Sequence, residues 1–116
     1  FSTMLSMQRT ADRFGELHAW MAEHLTADLS VPALAERASM SERSFVRHYR
    51  AGTGRTPARA VEQLRVEAAQ RLLGETAWPV KRIAARCGFG SEETLRRCFV
   101  RVLGVSPQGY RERFVR

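Results

Sequence analysis

Cysteine is scarce in this chain: Cys87 and Cys98 are the only two among 116 residues. They do not form a CxxC pair, and their spacing indicates neither a disulfide framework nor a zinc site. We therefore expect two reduced thiols in the core of an intracellular protein. We also predict no metal and no cofactor, because no cluster of cysteines or carboxylates accompanies His18 and His24.

Long hydrophobic runs are missing as well. No apolar stretch approaches the roughly 20 residues that cross a bilayer, and no signal peptide opens the chain. These absences predict a cytoplasmic location. We also expect no membrane partner, because the arginines lie opposite small apolar stripes that the core already needs. The chain begins at Phe1 and not at a methionine, so we expect it to be a fragment that lacks an N-terminal part of its protein.

Catalytic motifs are also absent from the sequence. There is no Ser/His/Asp set, no pair of carboxylates in an apolar setting and no nucleotide-binding loop. The stretch GTGRTP at 52–57 lacks the lysine and the spacing of a P-loop, and the end of one helix followed by the start of another explains it better. We therefore predict that the chain is not an enzyme.

Lysine is nearly absent, yet the chain is strongly basic. It has 19 Lys+Arg against 12 Asp+Glu and a formal net charge of +7, with Lys81 as its one lysine. Such a charge favours anionic partners, nucleic acid first and acidic membrane second. The arginine fork suits phosphates and guanine edges better than a lysine does. A GC-rich genome also favours arginine codons, so the arginine excess alone does not identify the partner.

Apolar residues recur at helical spacing, and no run alternates convincingly with a period of two. We therefore predict an all-α fold of about seven helices. The residues expected to cap helix starts are Asp12, Ser30, Ser41 and Ser91, and those expected to end helices are Gly52, Gly54, Gly74 and Gly104. The longest predicted helix is 57–73, and its apolar stripe is Val61, Leu64, Ala68 and Leu72, with Ala69 and Leu73 beside it.

The segments 31–49 and 80–99 are two copies of one pattern: a short helix, a tight turn and a second helix. The second copy has one extra residue in the turn, where an insertion is best tolerated. The matched pairs are Leu34 with Ile83, Ala35 with Ala84, Ala38 with Cys87, Met40 with Phe89, Ser41 with Ser91, Phe45 with Leu95, Arg47 with Arg97, and Tyr49 with Phe99. The predicted organisation is a linker or tail at 1–11, a first unit at 12–56, a connecting helix at 57–74 and a second unit at 75–116.

The second helix of each copy has an apolar inner face and a polar outer face. In the first copy Phe45 and Tyr49 face inward, and three arginines lie within about 40° of the opposite pole. This arrangement is typical of a helix-turn-helix, whose second helix fits a major groove about 12 Å wide. An ordinary helical hairpin with a solvated charged face, as in a protein-interaction module, explains a single copy. Two copies with arginine at the same outer position favour DNA binding.

Residues from both copies, together with residues of the connecting helix and the last helix, match the pattern of a known family. They are Leu34, Ala35, Met40, Ser41, Arg43, Phe45, Arg47, Gly54, Pro57, Arg65, Ala68, Leu72, Leu73, Ile83, Ala84, Cys87, Gly88, Phe89, Arg97, Phe99, Gly104, Val105, Ser106, Pro107, Tyr110 and Arg111. With them the chain resembles the DNA-binding domain of the AraC/XylS transcription regulators over about residues 12–114. Within that family GFGSEETLRRCF is most similar to the subgroup with a PfpI-like N-terminal domain.

The resemblance implies a bacterial, cytoplasmic transcription activator that binds double-stranded DNA sequence-specifically and contacts RNA polymerase. A sensing and dimerisation domain would lie outside this chain. Two helix-turn-helix subdomains, joined by a long central helix, would read two adjacent major-groove segments. A connecting helix of roughly 25 Å, together with the radii of the helices it joins, can bridge grooves about 34 Å apart.

Position in the family's motif gives the base-reading candidates, and other arginines together with the helix starts give the phosphate-contact candidates. The base-reading candidates are Arg43, Val46 and Arg47 in the first copy and Glu93, Thr94 and Arg97 in the second, with Glu92 as a further candidate. The phosphate-contact candidates are Ser41, Arg50, Arg55, Ser91, Arg96 and Arg101.

Glu93 departs from the small polar residue that many family members have at its position. A glutamate can accept a hydrogen bond from cytosine N4, or its charge can weaken the grip of the second unit on DNA. We expect the first unit, with its three outer arginines, to supply more of the affinity.

Overall fold

The computed structural model describes residues 14–114, and the regular structure in that range is entirely helical. The seven helices are α1 (Gly15–Glu23), α2 (Val31–Arg37), α3 (Glu42–Thr53), α4 (Pro57–Glu75), α5 (Val80–Arg86), α6 (Glu92–Leu103) and α7 (Pro107–Phe114). The predicted all-α fold of about seven helices is confirmed. The linker predicted at 1–11 and the cap predicted at Asp12 lie outside the described residues. Among residues 14–114, no helix has both the length and the hydropathy needed to span a bilayer.

The described residues divide into two compact units. The first contains residues 14–24 and 28–61, and the second contains residues 25–27 and 62–114. Helix α4, which corresponds to the predicted connecting helix, contributes its first turn to the first unit and its remainder to the second. Residues 25–27, which lie between α1 and α2, belong to the second unit although both helices belong to the first.

Aromatic rings form the centre of the first unit. Phe14 meets Phe45 edge-on, with ring centroids 5.7 Å apart, and both side chains are fully buried. Tyr49 lies 5.1 Å from the Phe14 ring and 5.5 Å from the Phe45 ring. Burying each such side chain stabilises the fold by about 1.5–3 kcal/mol. The inward orientation predicted for Phe45 and Tyr49 is therefore confirmed.

His18 is part of this aromatic cluster. Its Nε2 lies 2.7 Å from the Tyr49 hydroxyl, and its ring meets the Tyr49 ring edge-on at 5.5 Å. His24 instead bonds the Trp20 carbonyl through Nδ1 and stacks on the Trp20 ring. His18 is therefore a packing residue with a hydrogen-bond partner, and His24 is an exposed residue with one. Residues 14–114 contain no group of three or more His, Cys, Asp or Glu side chains arranged to hold a metal.

Acidification is expected to destabilise the first unit through His18. Burial and then the positive charge of Arg55 lower the pKa of His18 below its ordinary value of 6.5. The unfolded state therefore binds more protons, and stability is lost as the pH falls below about 6.5. His18→Gln removes this titration, so its urea midpoint should fall less than that of the parent between about pH 7.5 and 5.5. Equal losses in the two proteins would contradict the prediction.

The core of the second unit is built on α4, α5 and α6. Its buried residues are Val66, Ala68, Ala69, Leu73, Ile83, Ala84, Cys87, Phe89, Leu95 and Phe99. Burial raises the pKa of the Cys87 thiol to about 11, which keeps it protonated at neutral pH. Cys98 is half-buried, and both cysteines are free thiols, as expected.

The buried face of α4 differs from the predicted stripe. Val66 is fully buried although it was not predicted to be, and Leu64 and Leu72 are only half-buried. Apolar residues occur around much of this helix, so its periodicity does not define a single stripe. The helix also contributes to both units, since its residues up to Val61 belong to the first unit and those from Glu62 onward to the second.

Two of the predicted helix ends are correct and two are wrong. Gly54 and Gly104 adopt left-handed conformations and cap α3 and α6. Gly52, however, lies inside α3, and Gly74 lies inside α4. Beyond that second glycine the Thr76 amide and hydroxyl both donate to the Leu72 carbonyl, and this threonine follows the last residue of the helix.

Two arginines hold irregular backbone in the second unit. Arg65 donates through Nε and Nη2 to the Leu25 carbonyl, over 3.1 and 2.9 Å, and through Nη2 to the Ala27 carbonyl. Arg111 donates to three carbonyl oxygens, those of Leu73, Thr76 and Trp78. These side chains therefore donate hydrogen bonds to backbone carbonyls, which leaves the positive charge of each arginine without an acidic partner in these contacts.

Candidate nucleic-acid interface

In each unit two helices are joined by a turn that contains a matching backbone hydrogen bond, although the second turn has one more residue. Helix α2 packs against α3 in the first unit, and α5 packs against α6 in the second. The Met40 amide donates to the Ala35 carbonyl over 2.9 Å. At the matched position, the Phe89 amide donates to the Ala84 carbonyl over 3.0 Å. The prediction of two helix-turn-helix subdomains is confirmed.

The outer helix of each unit begins at a capping serine. The Ser41 hydroxyl accepts a hydrogen bond from the Ser44 amide over 3.2 Å, and the Ser91 hydroxyl accepts one from the Thr94 amide over 3.1 Å. Both predicted caps are therefore present. Amides that remain free in the first turn of a helix point outward and favour an anion. A phosphate near either serine would meet these amides, and the Ser41 hydroxyl, which only accepts within the helix, keeps its own proton to donate.

The outer face of α3 is basic and accessible. Arg43, Arg47 and Arg50 are all exposed, and Val46 is half-buried among them. Arg55, which follows the end of α3, is exposed as well. The structure therefore brings the predicted base-reading and phosphate-contact residues of the first copy to one helix and the loop that follows it.

The outer face of α6 has mixed charge. Glu92, Glu93 and Arg97 are exposed, whereas Thr94 is half-buried. The Thr94 hydroxyl lies 2.9 Å from the Ser91 hydroxyl, so part of its hydrogen-bonding capacity is used within the helix. This face has fewer free cationic groups than the outer face of α3.

Glu93 and Arg96 form a side-chain pair on this face. Arg96 Nη2 lies 2.5 Å from one carboxylate oxygen of Glu93, and Arg96 Nε lies 3.2 Å from the other. The hydrogen bonds from Arg96 are the main cause of the lowered pKa of Glu93, and the positive charges of Arg96 and Arg97 add to it. Arg96, predicted to contact phosphate, therefore bonds a residue predicted to read a base.

Arg101 also has an acidic partner. Its guanidinium forms an ion pair with Glu62 of α4, whose side chain is only 10% exposed. Sequence reasoning missed this pair, because the two residues are distant in the chain and no local spacing links them. The Glu93–Arg96 pair, in contrast, has the three-residue spacing at which helical side chains meet, and the sequence contains that signal.

Two further arginines stack on tryptophan rings. The Arg37 guanidinium lies 3.4 Å from the Trp20 ring centroid in the first unit. The Arg82 guanidinium lies 3.8 Å from the Trp78 ring centroid in the second unit. Each stack is of the type that contributes about 0.5–1 kcal/mol at exposed sites. These contacts give Arg37 and Arg82 packing roles that the sequence did not predict.

Comparison with known proteins identifies helix-turn-helix transcription regulators that are similar to this chain. A sequence profile for a family described as a helix-turn-helix domain matches residues 34–113. The HTH-type transcriptional regulator Rv1931c of Mycobacterium tuberculosis is 53% identical over 81 residues, which are 70% of this chain and 31% of that protein. The MmsAB operon regulatory protein of Pseudomonas aeruginosa is 39% identical over 97 residues, or 84% of this chain and 32% of that protein.

The HTH-type transcriptional activator RhaS of Salmonella schwarzengrund is 35% identical over 100 residues, or 86% of this chain and 36% of that protein. The chain thus spans about a third of the length of these three relatives.

Solved structures match both units. The DNA-binding domain of AdpA, a global transcriptional factor in complex with a target DNA, has a TM-score of 0.81 and 44% identity, covering 85% of this chain and 89% of that chain. The C-terminal domain of AraT, a response regulator from Geobacillus stearothermophilus, also has a TM-score of 0.81, with 24% identity, covering 96% of this chain and 87% of that chain. At that identity the second match supports the fold alone.

Proposed function

Because the chain belongs to the AraC/XylS family of helix-turn-helix transcription regulators and is a DNA-binding domain of that family, we propose that its two units read two adjacent major-groove segments of one DNA site. The observation that carries this proposal is the repeated unit, in which α3 and α6 each expose an arginine, Arg47 or Arg97, at the matched position. A DNA-binding domain of a regulator also agrees with the prediction that the chain is not an enzyme.

In the first unit we assign base reading to Arg43, Val46 and Arg47, and phosphate contact to Arg50 and Arg55. Arginine forks bind guanine O6 and N7 with two hydrogen bonds, and Arg47 is the leading candidate for this contact. The exposure of the arginines on α3 supports the assignment. Amides in the first turn, next to Ser41, add phosphate contacts.

In the second unit we assign base reading to Glu93, Thr94 and Arg97, with Arg97 as the guanine reader. Amides next to Ser91 would contact phosphate. The Glu62 carboxylate already bonds Arg101 Nη2 and would repel a phosphate nearby, which makes Arg101 a weaker candidate than Arg50 or Arg55. The first unit therefore contributes the larger share of the affinity.

The whole protein is proposed to be a bacterial transcription activator that acts in the cytoplasm. Support comes from its relatives, since one is named a transcriptional activator and another an operon regulatory protein. Contact with RNA polymerase and a sensing or dimerisation domain outside this chain belong to the same proposal. The PfpI-like character of that additional domain stays a prediction.

Selection of bound duplexes from a random DNA pool tests the two-segment reading. We expect a bipartite motif whose two segments lie about one helical turn apart. Affinity for the selected duplex should fall linearly with salt on logarithmic axes, because phosphate contacts release counterions. A single short motif would show that only one unit reads bases. Weak binding with no steep salt dependence would favour a helical protein-interaction module.

Arg47→Ala is expected to reduce affinity for the selected duplex by about 1–3 kcal/mol and to relax base preference at one position. The cause is the loss of a bidentate contact with a guanine edge. Arg50→Ala is the matched control on the same helix, and it should weaken binding to selected and scrambled duplexes alike. Titration of each variant with both duplexes measures the difference. Equal losses on the two duplexes for Arg47→Ala would contradict its base-reading role.

A further inference from the structure

The outer faces of α3 and α6 differ in a correlated way. Where α3 has Arg43, α6 has Glu93, and the charge is reversed. Where α3 has Val46, α6 has Arg96, and an apolar residue is replaced by a cation. The next matched position is arginine in both helices. The reversed charge in α6 is therefore accompanied by a new positive charge within hydrogen-bonding distance of it.

The pair is formed by a fork and a carboxylate that meet side by side. Arg96 uses Nε and Nη2, one for each oxygen of Glu93, at 3.2 and 2.5 Å. Both side chains are more than half exposed, at 54% for Arg96 and 62% for Glu93. A carboxylate has about four acceptor positions in total. The two used by Arg96 leave one on each oxygen for an additional donor from outside the protein.

A carboxylate that approaches DNA meets the repulsion of the phosphates unless a cation accompanies it. Arg96 supplies that cation and fixes the Glu93 rotamer before binding, so less conformational entropy is lost in the complex. In the major groove, only cytosine N4 and adenine N6 offer hydrogen-bond donors. Adenine also places its N7 acceptor beside N6, where it opposes a carboxylate, whereas the cytosine edge presents N4 without a neighbouring acceptor.

We propose that Arg96 is a positioning residue, not a phosphate contact, and that it holds Glu93 to accept a hydrogen bond from cytosine N4 in the segment read by α6. This inference rests on the proposed reading of two DNA segments. The second unit then reads a base through the Glu93–Arg96 pair, which has no net charge, where the first unit has the positive charge of Arg43. The proposal also assigns a specificity to that unit, namely a cytosine in the base pairs that α6 faces.

A double-mutant cycle on the selected duplex tests the proposal. The proteins are the parent domain, Glu93→Ala, Arg96→Ala and the double variant, each titrated with duplexes that have every base pair at each position of the second segment. Arg96→Lys is added because lysine keeps the charge but loses the fork. Arg55→Ala serves as the phosphate-contact control. Circular dichroism of each variant checks that the exposed substitutions leave the helices intact.

We expect Arg96→Ala to lower the preference for cytosine at one position about tenfold, and Arg96→Lys to restore it only in part. Once Glu93 is alanine, removing Arg96 should change that preference by less than about twofold, because Arg96 acts through Glu93. The salt slope should stay close to that of the parent for Arg96→Ala, whereas Arg55→Ala should reduce it by about 0.9.

Three results would overturn the proposal without contradicting the proposed reading of two DNA segments. Equal loss on all duplexes with a reduced salt slope for Arg96→Ala would make Arg96 a phosphate contact. A position specific for adenine that depends on Glu93 would show that the pair reads another base. An unchanged cytosine preference in Glu93→Ala would remove Glu93 from base reading while leaving the two-segment proposal intact. If the parent selects no second segment at all, the proposed function fails, and this inference fails with it.

Discussion

Gly88→Ala is expected to destabilise the second unit by about 3 kcal/mol or more, which is large for a single methyl group. A Cβ at this position would lie less than 3.0 Å from the Leu25 carbonyl oxygen and 2.8 Å from Arg65 Nε. The backbone at Gly88 has φ of +85°, a left-handed conformation that costs a residue with a Cβ about 1–2 kcal/mol. The oxygen cannot easily move away, because two hydrogen bonds from Arg65 hold it.

Gly90→Ala separates these two causes. Its φ of +74° is similar, but beyond its own backbone and its two chain neighbours no heavy atom lies within 4 Å of the added Cβ. The control should therefore cost only the conformational strain of about 1–2 kcal/mol. Urea unfolding followed by circular dichroism measures both variants. If the two alanines lower the free energy of unfolding equally, the close approach of Leu25 to Gly88 adds nothing to the cost of the Gly88 substitution.

Gly88 also shows where sequence reasoning ends. The sequence identifies this glycine as one letter of a family motif, but the reason for it is a carbonyl oxygen in the segment between α1 and α2. Arg65 is a comparable case, since its guanidinium bonds that same carbonyl across 40 residues. Contacts of such sequence separation leave no periodic signal. The sequence can reveal that these residues matter only through resemblance.

Features with a local cause were predicted well. The serine caps at Ser41 and Ser91 and the glycine ends at Gly54 and Gly104 depend on residues three or four positions away. The prediction that helices end at Gly52 and Gly74 is wrong, because a glycine inside a helix is tolerated at a cost of about 1 kcal/mol against alanine. Composition does not distinguish such a glycine from one that ends a helix.

The candidate interface shows the same difference between features with a local cause and contacts between residues distant in sequence. Helical spacing places Arg43, Arg47 and Arg50 on one exposed face, and the structure agrees. The sequence did not indicate that Arg101 is paired with the nearly buried Glu62. Formal charge therefore overstates the positive charge available to DNA. The affinity of the second unit depends on which of its arginines are free, and tertiary contacts decide this.

Phe45→Ala is expected to lower the free energy of unfolding by about 3–5 kcal/mol. The ring is fully buried, and it meets the Phe14 ring at 5.7 Å and the Tyr49 ring at 5.5 Å. Truncation removes both ring contacts, each of a kind that contributes about 0.5–1.5 kcal/mol beyond area burial, and leaves a cavity behind α3. Domains of this size have total stabilities of about 5–15 kcal/mol, so the variant should be close to unfolding.

Arg47→Ala, two residues further along α3, is the control that separates folding from reading. Its side chain is exposed, so its urea midpoint should stay near that of the parent while its affinity for the selected duplex falls. Phe45→Ala should show the opposite order of effects: a large loss of stability, with base preference retained by whatever fraction remains folded. If Phe45→Ala changes base preference without loss of stability, the inner face of α3 takes part in reading, and the assignment of its two faces is wrong.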